Sequence, residues 1–121
     1  MKVHLTKAII FDLGGVVIDI AFDRCFSVWA NASSKSLDAI RSAFAFDQAY
    51  AAHECAQITG EQYYEHICKS LGVKIPFAVF KEGWNAIYVG VIPETIALLH
   101  ELQGKLQLFA FTNSNLLHRK V

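Results

Sequence analysis

Apolar and polar positions along the chain change period twice. Residues 7–12 (KAIIFD) form a short apolar run closed by Asp12, and Leu13-Gly14-Gly15 breaks it sharply. An unbroken run of this length suits a strand buried on both faces of a parallel sheet. From about Phe22 to Tyr88 the spacing turns helical. Phe22, Phe26 and Trp29 recur at i, i+4 and i+7, and Leu37, Ile40 and Phe44 at i, i+3 and i+7. Thr59-Gly60-Glu61-Gln62 has the capping-box pattern, and the helix it opens carries Tyr63, Tyr64, Ile67, Cys68 and Leu71 to a stop at Gly72. Pro76 precedes a stripe of Val79, Phe80, Trp84 and Ile87. The pattern predicts four or five short helices in this block and no strand. Pro93 then starts a helix with Ile96, Leu99 and Leu102 on one face and Gly104 as its stop. Residues 105–111 (KLQLFAF) make a second strand ending in Thr112-Asn113-Ser114-Asn115, and residues 116–121 suit the start of one more helix.

Strand, helical block, helix, strand is the order of an α/β protein. Two strands do not make a stable sheet by themselves, so the pattern is expected to be the front part of a larger doubly wound core. At 121 residues the chain suits one domain. Hydrophobic residues are 54% of it and charged residues 18%, which excludes disorder. Eleven basic residues balance eleven acidic ones, so no excess of positive charge is present to bind nucleic acid. No apolar run reaches the length of a membrane span, and Asp12 spoils a signal-peptide reading of the first run. Cys25, Cys55 and Cys68 are odd in number and form no C-x-x-C pair, so they are expected to be reduced, mostly packed thiols in a cytoplasmic setting. The mean hydropathy of +0.32 is high for a small domain without a membrane span, and points to apolar surface meant for something else.

Candidate chemistry gathers at the two strand ends. Asp12 stands at the carboxyl end of the first strand, where open α/β sheets bind ligands. A carboxylate there, beside a glycine turn, can ligate Mg²⁺ or attack phosphorus. Thr112 and Asn113 close the second strand, and a hydroxyl with adjacent backbone N–H groups suits a phosphoryl group. Taken singly, Asp12 also suits capping the next turn, and Thr112 suits a helix N-cap. In a parallel pair the two ends share one sheet edge, which reinforces the chemical reading. His53-Glu54 fails the zinc-protease pattern because residue 57 is Gln, and it stands between a solvated helix face and a substrate-facing one. Asp19 suits capping the first helix of the block, Trp29 and Trp84 suit its core, and His118, Arg119 and Lys120 an exposed helix end.

Residues 7–20 (KAIIFDLGGVVIDI), the helical insertion and residues 106–115 (LQLFAFTNSN) together resemble the haloacid dehalogenase (HAD) superfamily of hydrolases. DLGGVVIDI at 12–20, His53-Glu54 through Ile58-Thr59, Gly83-Trp84 and Ile92-Pro93-Glu94 are similar to a narrower subgroup, the bacterial sugar-phosphate phosphatases akin to the glucose-1-phosphate phosphatase and the phosphatase domain of epoxide hydrolases. The resemblance implies a partial Rossmann-like HAD core of parallel strands over 1–19 and 91–121 with an all-helical cap inserted over 20–90. It implies a Mg²⁺-dependent phosphatase acting on a small phosphorylated metabolite, sugar phosphates first, through an aspartyl-phosphate on Asp12. Thr112 and Asn113 would hold the phosphoryl group, Asp12 and the Gly14 carbonyl the metal, and His53 and Glu54 of the cap the substrate. The superfamily's usual second Asp is replaced by Gly14, which leaves the proton donor unidentified. The family's later motifs, a Lys and an acidic pair, belong well beyond Thr112, so the resemblance implies a chain truncated before them and little or no activity in the 121-residue form alone. Two alternatives stand beside the phosphatase. One is a 2-haloacid dehalogenase using the same Asp12 without metal. The other is a non-catalytic fragment or pseudoenzyme acting as an interaction module, with homodimerisation through exposed apolar strands.

Overall fold

The first apolar run forms β1 (Ala8–Phe11), in a computed structural model that describes residues 5–115 and 117–120. Residues 1–4, at the head of the core segment expected over 1–19, lie outside the described residues. So do Leu116 and Val121, the ends of the helix expected over 116–121. The strand KLQLFAF contributes β4 (Gln107–Ala110), which pairs with β1 in parallel. The register Ile9↔Leu108 and Phe11↔Ala110 puts these four residues on one face and Ile10 with Phe109 on the other. The helix opened by Pro93 is Pro93–Leu102, with proline at its first turn and a left-handed Gly104 (φ +83°) just past its end.

A second strand pair flanks the helical block. β2 (Ile18–Ile20) runs antiparallel to β3 (Tyr88–Val91), with a register shift between Asp19 and Ile20. The expectation of no strand up to Tyr88 is corrected at that residue. Asp19 is corrected too. It sits exposed in β2 opposite Gly90, and the helix that follows has Ala21 as an N-cap without a side-chain bond. Ladder hydrogen bonding has taken the backbone that a capping Asp19 would need free.

Between β2 and β3 lie α1 (Phe22–Ala32), α2 (Leu37–Ala43), α3 (Gln48–Glu54), α4 (Gly60–Leu71) and α5 (Phe77–Asn85), which makes Pro93–Leu102 α6. Thr59 Oγ1 accepts from the Gln62 N–H (3.1 Å) while Gln62 Oε1 accepts from the Thr59 N–H (2.8 Å), the reciprocal box its spacing predicts. Gly72 (φ +65°) ends α4 in the left-handed conformation. Thr59→Ala removes the hydroxyl acceptor and is expected to cost about 1 kcal/mol, read as a thermal midpoint some ~4–8 °C lower by circular dichroism.

By its contacts the chain divides into one unit of residues 1–20 and 88–112 and another of residues 21–87 and 113–121. The helical unit holds the whole described core. Trp29 stacks on Phe80 (5.2 Å between centroids, 10°), lies parallel to Trp84 (6.3 Å, 4°), and donates its indole N–H to the Phe80 carbonyl at 3.2 Å. Gly83 makes this approach possible, because a Cβ there would stand 2.5 Å from Trp29 Nε1. The cysteines are all free thiols. Cys25 is buried, which pushes its pKa well up, but Cys55 is exposed rather than packed.

In the strand unit none of the described residues is buried. Ile10, Phe109 and Phe111 stand 68%, 53% and 74% exposed. A strand expected to be covered on both faces is thus largely open here, with Phe11 and Leu108 lining a groove beside Ile96 and Leu99 of α6. Among the described residues, no helix is long and apolar enough to cross a membrane.

Candidate functional site

Asp12 is the first residue past β1 and is exposed. Its Oδ1 accepts the N–H of Leu13 at 2.8 Å. Beyond it the chain folds into a tight turn in which the Leu13 carbonyl accepts from Val16 (3.2 Å), Val17 (2.8 Å) and Ile18 (2.8 Å), and Gly15 donates to the Ile18 carbonyl (2.7 Å). Both glycines are required there. Gly15 has φ +77°, and a Cβ on Gly14 would come within 2.7 Å of Ile20 Cδ1. The turn is tied down by Thr95 Oγ1, which donates to the Val16 carbonyl at 2.6 Å, and by Ile92 N–H, which donates to the Val17 carbonyl at 2.7 Å. Neither contact carries a sequence signal, since the partners lie more than seventy residues apart.

Thr112 stands at the equivalent end of β4. The last register pair is Phe11↔Ala110, and Phe111 N–H donates to the Phe11 carbonyl at 2.8 Å. Two parallel neighbours therefore release Asp12 and Thr112 at the same edge of the same sheet. Asn113 follows directly in the chain and is likewise exposed.

The oxygens at β1's end suit a hard cation in part. The Asp12 carboxylate is exposed, and the turn's hydrogen bonds go to the Leu13 and Ile18 carbonyls rather than to that of Gly14. Among the described residues, no group of three or more His, Cys, Asp or Glu side chains is placed to hold a metal ion. The Asp12 carboxylate and the Gly14 carbonyl would hold Mg²⁺ only alongside other oxygen ligands. A neighbouring groove of about 470 Å³ under α6 is lined mainly by Phe11, Leu13, Ile96, Leu99 and Leu108, and its lining suits hydrocarbon rather than phosphate.

His53 and Glu54 belong to the helical unit and serve its interior. His53 is 1% exposed, so it is no surface residue of α3. It stacks on Tyr63 (4.8 Å, 10°), and burial lowers its pKa. Glu54 Oε1 accepts from Asn115 Nδ2 at 2.6 Å. His118, expected at an exposed helix end, lies half-buried in a single 3₁₀ turn (His118–Lys120), stacked on Trp84 at 5.3 Å. Asn115 is the residue that sequence reasoning missed. It is buried, and its only signal was a position two residues after Asn113.

A scan against protein-family models finds no match. Among solved structures, the chain is similar to a HAD family enzyme from Bacteroides thetaiotaomicron in complex with magnesium and inorganic phosphate. The TM-score is 0.71 at 24% identity, over 95% of this chain and 57% of that one. An aspartate-to-alanine variant of the same enzyme, also with magnesium and phosphate, gives a TM-score of 0.74 at 23% identity, over 95% and 57% of the two chains. A protein described as a predicted HAD-like family hydrolase from Porphyromonas gingivalis gives 0.67 at 16%, over 94% and 54%. At these identities the likeness establishes a HAD-like α/β fold. The chain spans a little over half the length of the structures it matches.

Proposed function

We propose that this chain carries the nucleophile and the phosphate seat of a HAD-type phosphatase acting on small phosphate esters, sugar phosphates first. The observation that carries this is the parallel pairing of β1 with β4, which ends in Asp12 on one strand and Thr112 on its neighbour. The magnesium and phosphate complexes of the B. thetaiotaomicron enzyme support the choice of phosphorus over carbon as the electrophile.

In this reading the freely exposed Asp12 carboxylate attacks phosphorus. The ester P–O bond breaks, and the alcohol leaves with a proton drawn from solvent. Water then attacks the acyl phosphate, releasing inorganic phosphate and returning the carboxylate. The Thr112 hydroxyl and the Asn113 backbone N–H hold the phosphoryl oxygens. Asp12 and the Gly14 carbonyl would hold Mg²⁺, which when bound offsets the charge of the phosphoryl group. The helical insertion over 20–90 is assigned the selection of the leaving group.

Gly14 has no side chain to protonate that group. Rate is therefore expected to depend steeply on its acidity, with aryl phosphates cleaved at least ~10-fold faster than alkyl ones. Since Asp12 belongs to no group of three or more metal-ligating side chains among the described residues, the 121-residue chain alone is expected to be slow and to need millimolar Mg²⁺. Turnover of p-nitrophenyl phosphate in Mg²⁺, lost in EDTA and without release of halide from 2-chloropropionate, would support the reading. Halide release without metal would replace it with the dehalogenase. Absence of both activities would favour the interaction module, for which the exposed Ile10, Phe109 and Phe111 supply a surface.

A further inference from the structure

The segment that follows β4 is seated in the helical unit by three residues that the phosphatase reading does not use. Asn115, 3% exposed, donates from Nδ2 to Glu54 Oε1 at 2.6 Å. Its Oδ1 accepts from the His118 backbone N–H at 3.0 Å and from Trp84 Nε1 at 3.4 Å. Leu117 is buried against Gly60, where a Cβ would stand 2.7 Å from Leu117 Cδ2, so a bare glycine forms the socket. His118 stacks on the Trp84 indole at 15°, with Nε2 3.0 Å from the Trp84 carbonyl and Nδ1 3.2 Å from Asn115 Nδ2.

These bonds fix the tautomer of His118. A carbonyl can only accept, so Nε2 carries the hydrogen and donates to Trp84, and Nδ1 accepts from Asn115. The amide of Asn115 is fixed as well. Turning it over would set its oxygen against the Glu54 carboxylate and its NH₂ against the His118 and Trp84 N–H groups. A proton added at Nδ1 therefore sets two donors face to face and breaks the Asn115–His118 bond. We propose that Asn115, Leu117 and His118 form a latch on the helical unit which opens when Nδ1 of His118 takes up a proton.

Among the described residues, groups reach this imidazole from three helices and its own turn. α3 supplies Glu54 and His53, α4 supplies Tyr63 stacked on His53, α5 supplies the Trp84 ring and carbonyl, and Arg119 follows on its own turn. Burial pushes the His118 pKa down and outweighs the Trp84 carbonyl and Glu54, which pull it up. A histidine depressed in the folded state contributes stability that is complete above its ordinary value near ~6.5. That contribution is lost as the pH falls from there toward the folded value.

The test is nitrogen-15 NMR of the full 121-residue chain between pH 8 and 5, with the Trp29 indole N–H on Phe80 as internal reference. His118 is expected to titrate below ~6.5, with the Asn115 side-chain amide and the Trp84 indole N–H moving at the same midpoint. Exchange of the 118 and 119 amides is expected to rise ~10-fold or more relative to Tyr63 in α4, while the Trp29 signal stays still. Glu54→Gln keeps the acceptor oxygen and removes the charge, so its midpoint is expected to fall further. That variant carries the test if His118→Gln does not fold. Asn115 and Trp84 signals that ignore the His118 titration would overturn the proposal. So would loss of Tyr63 and Trp29 protection in the same step, or persistence of the step in folded His118→Gln, which would assign it to His53.

Discussion

Asp12→Asn is expected to lower any turnover of p-nitrophenyl phosphate by ~10³-fold or more while leaving the thermal midpoint within about a degree. The carboxamide has the shape of the carboxylate and keeps an oxygen for the Leu13 N–H, which Asp12 Oδ1 accepts at 2.8 Å. Asp12 is exposed and outside any packed core, so its loss costs the fold little. The neutral amide, however, is a poor nucleophile and a poor Mg²⁺ ligand. Reductive trapping with borohydride during turnover should label the native chain at residue 12 and fail in the variant. A variant that keeps its rate would remove Asp12 from the chemistry, and with it the phosphatase reading. An interaction module, by contrast, is expected to be indifferent to the exchange.

The strand ends were legible because each is marked by local chemistry. An apolar run closed by Asp and two glycines, and another closed by Thr-Asn, announce where a parallel sheet presents its ligands. The helical boundaries were legible for the same reason, since Thr59 with Gln62, Gly72, Pro93 and Gly104 act on backbone within a few residues of themselves. What escaped was non-local. β2 and β3 are three and four residues long and find one another across the whole helical block, so neither has a period long enough to register alone. His53 falls where a helix face could be wet or dry, and only the rings of Tyr63 and Trp84 decide it. Asn115 and His118 lie in a segment without periodicity, and their roles depend on Glu54 and Trp84 far back in the chain. The open apolar face of β1 and β4 follows the same logic in reverse. The pattern announced a covered strand, but covering needs elements beyond those that pack on it here.

Trp84→Ala is expected to unfold the helical unit at room temperature. Trp84 has no exposed surface, and its indole lies within ring-contact distance of Phe22, Trp29, Tyr50, His53, Tyr63, Phe80 and His118. It is the ring that α1, α3, α4, α5 and the segment after β4 share. Truncation to Ala leaves a cavity the size of an indole and costs about 3–5 kcal/mol by analogy with other large-to-small core exchanges. At ~0.05–0.15 kcal/mol per residue, a unit confined to 21–87 and 113–121 stands near the low end of small-domain stability, where a loss of this size removes the folded state. Trp84→Phe keeps an aromatic plane between Trp29 and His118 and loses the N–H that reaches Asn115 Oδ1, so a folded but weakened unit is expected. Urea titration followed by far-ultraviolet circular dichroism separates the cases, with Trp29 fluorescence as a second probe. The expected order of midpoints is native, then Phe, with no cooperative transition left for Ala. An Ala variant that unfolds at the native midpoint would mean that Trp29 and Phe80 hold the helices together without it.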